Sequence, residues 1–180
     1  TLFRSRELQL EDVLTVGFVG SLTWSSKSGR CYGSELIEVL CELRDLPVKG
    51  IIIGDGSGAP KLRAQARQLG IEDKIVFLGR IPYEDLSRYL CLIDVCLSTQ
   101  TNDVPGRVRT TGKLPLYLAT GRFILASRVG EAARVLPQEM LVDYYGSSDP
   151  QYPNKLATRI RTLLRGDSIR KGSLQSRAIA

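Results

Sequence analysis

Short apolar runs recur along this chain, each closed by glycine or polar turn residues and most followed by a helical period. They read VLTVGFVGS (13–21), VKGIIIGDGSG (48–58), KIVFLGRI (74–81), DVCLST (94–99) and RFILAS (122–127), with MLVDY (140–144) as a candidate sixth. Between them lie SELIEVLCELRDL, apolar at 36, 37, 39, 40 and 43, and APKLRAQARQLG, which Gly70 should cap. YEDLSRYLCLI should begin a short helix after Pro82, another should start near Thr111, and a last one should cover about 154–165. The strands are continuous runs, not alternations, so both of their faces must be covered. The expected fold is α/β: a Rossmann-like parallel sheet of about six strands with helices on both faces. In such sheets ligands bind at the carboxyl ends of the strands. Three glycine-marked loops are expected there, at 20–30, 54–58 and 106–112.

The length of 180 residues suits one compact domain with a real core, with 1–12 as a linker and 166–180 as a tail. No apolar run is long enough to span a bilayer, and no secretory leader opens the sequence. The chain begins at Thr1, not Met, and is expected to be a piece of a longer protein. Four cysteines form no CxxC pair; Cys41, Cys91 and Cys96 fall in apolar patterns, as packed thiols in a reducing compartment would. Histidine is absent altogether, which removes the commonest general base and every Ser-His or Cys-His arrangement. Such a composition favours binding over proton chemistry.

A net charge of +6 and a pI near 9.3 fit nucleic acid, lipid headgroups or a phosphorylated ligand. Arg159, Arg161, Arg165, Arg170, Lys171 and Arg177 crowd the C-terminus, where they read as a solvated helix face and tail. Aromatic residues are not interleaved with them, so nucleic acid is not an expected partner.

The loops carry the chemistry. Gly20-Ser21 with Lys27, Gly29 and Arg30 can hold a phosphate by charge and close backbone approach, or be an ordinary loop. It lacks the Gly-Lys-Ser/Thr ending of a P-loop. GDGSG (54–58) follows the second strand with a G-x-G-x-G spacing, which a tight turn explains. TNDVPGRVRTTGKLPLYLATG (101–121) reads as a polar loop leading to a fresh helix N-terminus. There Thr110 and Thr111 offer hydroxyls, Gly112 permits close approach, and Arg107, Arg109 and Lys113 supply charge. A helix end with these neighbours suits an anion, here a diphosphate, although Thr-Thr-Gly is also simply a good cap.

VGFVGSL, IIIGDGSG, KIVFLGRIPYEDLSRYL, DVCLST and LPLYLATGRFILASRVGEA, in this order over about 13–165, resemble the C-terminal, donor-binding half of GT-B glycosyltransferases of the family 4 type. The resemblance implies a Rossmann-like half that grips a nucleotide-diphosphate sugar, UDP or GDP type, as substrate. It implies no cofactor and no metal, and no Asp-x-Asp motif is present. Gly20, Ser21, Lys27 and Arg30 would lie on the diphosphate loop, with Gly54 beside them and Lys27 stabilising the leaving group. Arg80 and Ile81 would touch the base, and the amides of Arg109 to Gly112 would cradle the distal phosphate. Family members often carry two glutamates with seven residues between them; ungapped placement puts Val108 and Leu116 there, and Asp103 is the carboxylate left on that loop. Ser21 stands where many members have arginine.

The implied function is the donor half of a transferase that moves a sugar to a glycan or lipid-linked saccharide with retention. It would work with an acceptor-binding N-terminal domain of the same protein, in the cytoplasm or at the inner face of the membrane. The fragment alone is expected to be inactive. The alternatives are a degenerate, non-catalytic sugar-nucleotide-binding domain and a GT-B-type sugar-nucleotide epimerase. A NAD-binding domain is disfavoured because the first-strand loop lacks G-x-G-x-x-G.

Overall fold

The structure is a computed structural model that describes residues 7–10, 12–26 and 29–166. Its chain contacts divide it into two compact units, one up to Ile93 and one from Asp94.

In the first unit β1 (Leu14–Val19), β4 (Val48–Ile53) and β5 (Ile75–Gly79) are parallel in the order β5-β4-β1. Leu14 pairs with Val48 and Gly50 with Ile75. β1 and β4 are buried nearly end to end, which is why their sequences do not alternate. Helix α1 (Ser34–Glu42) turns Leu36, Ile37, Val39 and Leu40 inward. Gly50 is the strand position over which Leu40 packs, and Gly17 is the one over which Ile93 packs; a methyl at either would run into those side chains. Helix α2 (Ala59–Gln68) ends as expected before Gly70, whose φ of 65° is left-handed. Helix α3 (Tyr83–Leu90) starts directly after Pro82.

Residues 24–31 depart from the expected plain loop. Trp24–Ser25 (β2) and Arg30–Cys31 (β3) pair antiparallel, Trp24 with Cys31 and Ser25 with Arg30.

In the second unit β6 (Val95–Ser98), β7 (Phe123–Ser127) and β8 (Leu141–Val142) are parallel in that order. The candidate sixth strand is thus real but only two residues long. Helices α4 (Val104–Val108), α5 (Lys113–Ala119) and α6 (Ala132–Val135) occupy the connections, and α7 (Tyr152–Leu164) closes the unit. The stretch expected as a polar loop contains α4, because Asp103 supplies an N-cap and Pro105 is acceptable in a first turn. α7 buries Tyr152, Leu156, Ile160 and Leu163, one helical stripe, and packs against β8.

Asp149 anchors the entry to α7. Its carboxylate accepts from the Tyr145 and Gln151 amides, both at 3.0 Å, and from the Lys155 ammonium at 2.7 Å. Burial would raise this carboxyl, but Lys155 and the two amides outweigh it and hold it below the usual range. The basic C-terminal run is not all solvated: Arg159 donates to the Glu139 carbonyl at 3.0 and 2.7 Å, tying α7 to the turn before β8. Arg170, Lys171 and Arg177 lie outside the described residues.

Six parallel strands, three in each unit, with flanking helices make the fold Rossmann-like α/β, as expected. The thiols are more varied than their patterns suggested. Cys96 is fully buried and burial pushes its thiol far up, whereas Cys91 lies exposed at the end of α3. No described helix is long and apolar enough to cross a membrane.

Candidate functional site

The carboxyl ends of the first unit's strands carry interlocked glycines. The Gly20 amide donates to Ile53 O at 3.0 Å and the Gly54 amide to Gly79 O at 2.8 Å, fastening three strand ends together. Gly54 has φ 137°, and a Cβ there would strike the Gly20 carbonyl. The loop after β1 then crosses the turn after β4: the Leu22 amide donates to Asp55 O at 3.0 Å, and the Gly58 amide to Leu22 O at 2.7 Å. A Cβ on Gly56 would come within 2.7 Å of that same Leu22 carbonyl. GDGSG is therefore glycine-rich because two backbones touch there, a stronger reason than a tight turn alone.

Around this knot the candidate residues spread out. Ser21 is exposed and shares a 2.8 Å hydrogen bond with Thr23. Arg30 sits on β3, where one guanidinium nitrogen donates to both Glu38 oxygens at 2.6 and 2.7 Å. Its charge is thereby already matched by a carboxylate. Lys27 lies outside the described residues. Arg80 is exposed and Ile81 half-buried, directly after β5.

In the second unit α4 is held from several sides. Asp103 Oδ1 accepts from the Gly106 amide and from Thr101 Oγ1, both at 2.9 Å. The Gly106 amide first, and then the Thr101 hydroxyl, hold this carboxyl below its usual range. Gln100, only 6% exposed, donates from its side-chain amide to Gly106 O at 3.1 Å and Arg109 O at 2.6 Å. Its own backbone amide donates to Ser127 Oγ at 2.7 Å. Gly130, at φ 58°, lets the next loop close in, since its Cβ would lie 3.0 Å from Arg107 O. Beside it the Glu131 Oε2 atom is buried without a hydrogen-bond partner. Sequence reasoning missed Gln100 and Glu131; a glutamine at the end of a buried strand was the available signal for the first.

Past α4 the chain opens. Arg107, Val108, Arg109 and Thr110 are exposed, and Val108 is 77% exposed. The Arg109 amide is taken by the Pro105 carbonyl at 3.1 Å, because Arg109 terminates α4. The amides of Thr110, Thr111 and Gly112 meet no acceptor among the described residues. Gly112 has φ −60°, and a Cβ there meets nothing within 4 Å. Helix α5 begins at Lys113, two residues later than expected, with Leu116 half-buried on it. The geometry thus brings Arg107, Arg109, Thr110 and Gly112, all exposed, and the half-buried Thr111 onto one stretch, and it gives Asp103 a capping role.

Parallel strands with flanking helices and glycine-tightened loops at their carboxyl ends define a Rossmann-like α/β domain. The chain belongs to the glycosyl transferases group 1 family, whose profile matches residues 14–166. The structure is similar to that of HepE from Anabaena in complex with UDP, at 19% identity and a TM-score of 0.75, over 98% of this chain and 46% of that one. It is also similar to the C-terminal domain of the group 1 glycosyl transferase LpcC from Francisella tularensis, at 14% identity and a TM-score of 0.67, over 98% of this chain and 90% of that one. WaaG, a glycosyltransferase involved in lipopolysaccharide biosynthesis, matches at 16% identity and a TM-score of 0.68, over 98% and 45%. The chain thus spans less than half the length of HepE and WaaG. No curated protein sequence matches it. The family resemblance read from the sequence is the family found.

Proposed function

We propose that this chain is the donor-binding half of a glycosyltransferase that takes a sugar from a UDP- or GDP-type donor. The acceptor would be a glycan or lipid-linked saccharide, and the anomeric configuration would be retained. The observation that carries this reading is the run of open amides at Thr110–Gly112 beside the exposed Arg107 and Arg109. Such amides have fixed directions and lose no side-chain entropy on meeting a phosphate. HepE supports the same ligand class, having been crystallised with UDP and with UDP-glucose.

As the bond from sugar to diphosphate breaks, negative charge gathers on the leaving diphosphate. Oriented amides would stabilise that charge more than they stabilise the ground state. The chain would act with an acceptor-binding domain of the same protein, at or near the inner membrane face.

A second reading, a binding domain without turnover, is favoured by one fact. Val108 and Leu116 offer no carboxylate, and the one on Asp103 caps α4. Calorimetry against UDP, GDP and ADP tests the first reading, with binding of at least one diphosphate expected and binding of none overturning it. Turnover of the donor in the presence of a complementing acceptor domain then separates enzyme from scaffold.

A further inference from the structure

The first unit carries a hollow away from its strand-end glycines. Between α1, α2 and the β2–β3 hairpin lies an open cleft of about 370 Å³. That volume is at the small end of ligand pockets, which start at roughly 300 Å³. Its polar lining is largely unused. Ser34, at the start of α1, is 5% exposed, and its hydroxyl is buried with no partner. A buried hydroxyl in that state asks for an explanation, and a ligand group is one.

From α2 come Lys61, Gln65 and Gln68, spaced so that they share one helix face. Neither glutamine amide makes a hydrogen bond among the described residues. The Lys61 ammonium stands 4.5 Å from the Trp24 ring centroid, which places its charge at the cleft without neutralising it. Arg30 and Glu38 form the remaining charged wall, already paired with each other. Among the described lining residues two cations, Arg30 and Lys61, face one carboxylate, so Lys61 is the cation not matched there.

We propose that this cleft binds a monosaccharide-sized polyol carrying one anionic group, a carboxylate or a phosphate. Hydroxyls both donate and accept, as Ser34, Gln65 and Gln68 do, and so match that part of the wall. The anionic group matches Lys61, the charge left over. The site is distinct from the open amides of the second unit and does not depend on what they bind.

The test is calorimetry of the full chain against glucose 6-phosphate, glucuronate, glucose and inorganic phosphate, repeated with Lys61→Gln and Ser34→Ala. A charged sugar should bind saturably and glucose at least ~10-fold more weakly. Lys61→Gln should erase that difference. Ser34→Ala should weaken the charged sugar while raising the melting temperature of the free chain, because an orphaned hydroxyl is removed. Binding of only one charged sugar supports the proposal and fixes the anion. Failure of both to bind, inorganic phosphate binding as tightly as the sugars, or affinities unmoved by both substitutions would each overturn it.

Discussion

At Gly112 the chain has an ordinary helical φ and free space around its Cα, so nothing in the free domain requires glycine there. A side chain added at this point should therefore leave the melting temperature within a few degrees yet push a bound phosphate outward. Gly112→Val should cost more nucleoside-diphosphate affinity than Arg107→Ala, whose exposed side chain is screened by solvent. Binding isotherms at two salt concentrations decide the matter. If Arg107→Ala is the more damaging and removes most of the salt dependence, the side chains and not the amides hold the ligand. Gly54 is the opposite case. Its positive φ and the Gly20 carbonyl both exclude a side chain, so Gly54→Ala should destabilise the fold by at least ~2 kcal/mol in urea titration. An unchanged midpoint would mean that the two loops part easily.

Elements in the second unit are held by single polar residues that serve several partners. Gln100 grips two carbonyls of the segment containing α4. Gln100→Leu should cost about 2 kcal/mol, the usual penalty for acceptors left unpaired, and should speed amide exchange over 103–109. Protection unchanged over that segment would show that Gly106 and Gly130 packing suffices. Asp149 does the same for the start of α7, with a carboxyl held below its ordinary value. A group depressed in the folded state adds stability that is full above its unfolded pKa of about 3.9 and fades as pH falls through the folded value. Asp149→Asn should thus lower stability by about 2 kcal/mol near neutral pH, with the gap closing in acid. A gap that stays constant with pH would mean that the charge contributes nothing.

For the whole molecule, the relation to longer relatives makes the expectation plain. The chain covers 46% of HepE and 45% of WaaG, and a transfer reaction needs donor and nucleophile held in one geometry. Incubated alone with a nucleotide sugar and an acceptor, this chain should give no transfer; measurable product would overturn the division of labour proposed above. The fold was legible because buried parallel strands leave continuous apolar runs such as GIIIG, and because glycine and proline mark where helices stop and start. What escaped the sequence was long-range pairing. Nothing local says that Arg30 meets Glu38 or that Arg159 reaches the Glu139 carbonyl. Residues 101–112 read as a polar loop in the sequence, and α4 escaped that reading although it takes the Arg109 amide out of the open set.

The parallel pairing within each unit also bears on how the chain reaches its native state. Leu14 pairs with Val48, Gly50 with Ile75 and Val95 with Phe123, so each of these strand pairs closes across a long connection that carries a helix. The hairpin of Trp24–Ser25 with Arg30–Cys31 is a local ladder, and two rungs are too few to nucleate anything. Refolding should therefore belong to the slow, high-contact-order regime of milliseconds to seconds, with helical signal preceding sheet protection. During that interval the apolar strand at 51–53 lacks its partners, and it is there that dilution or a chaperone should matter most for yield.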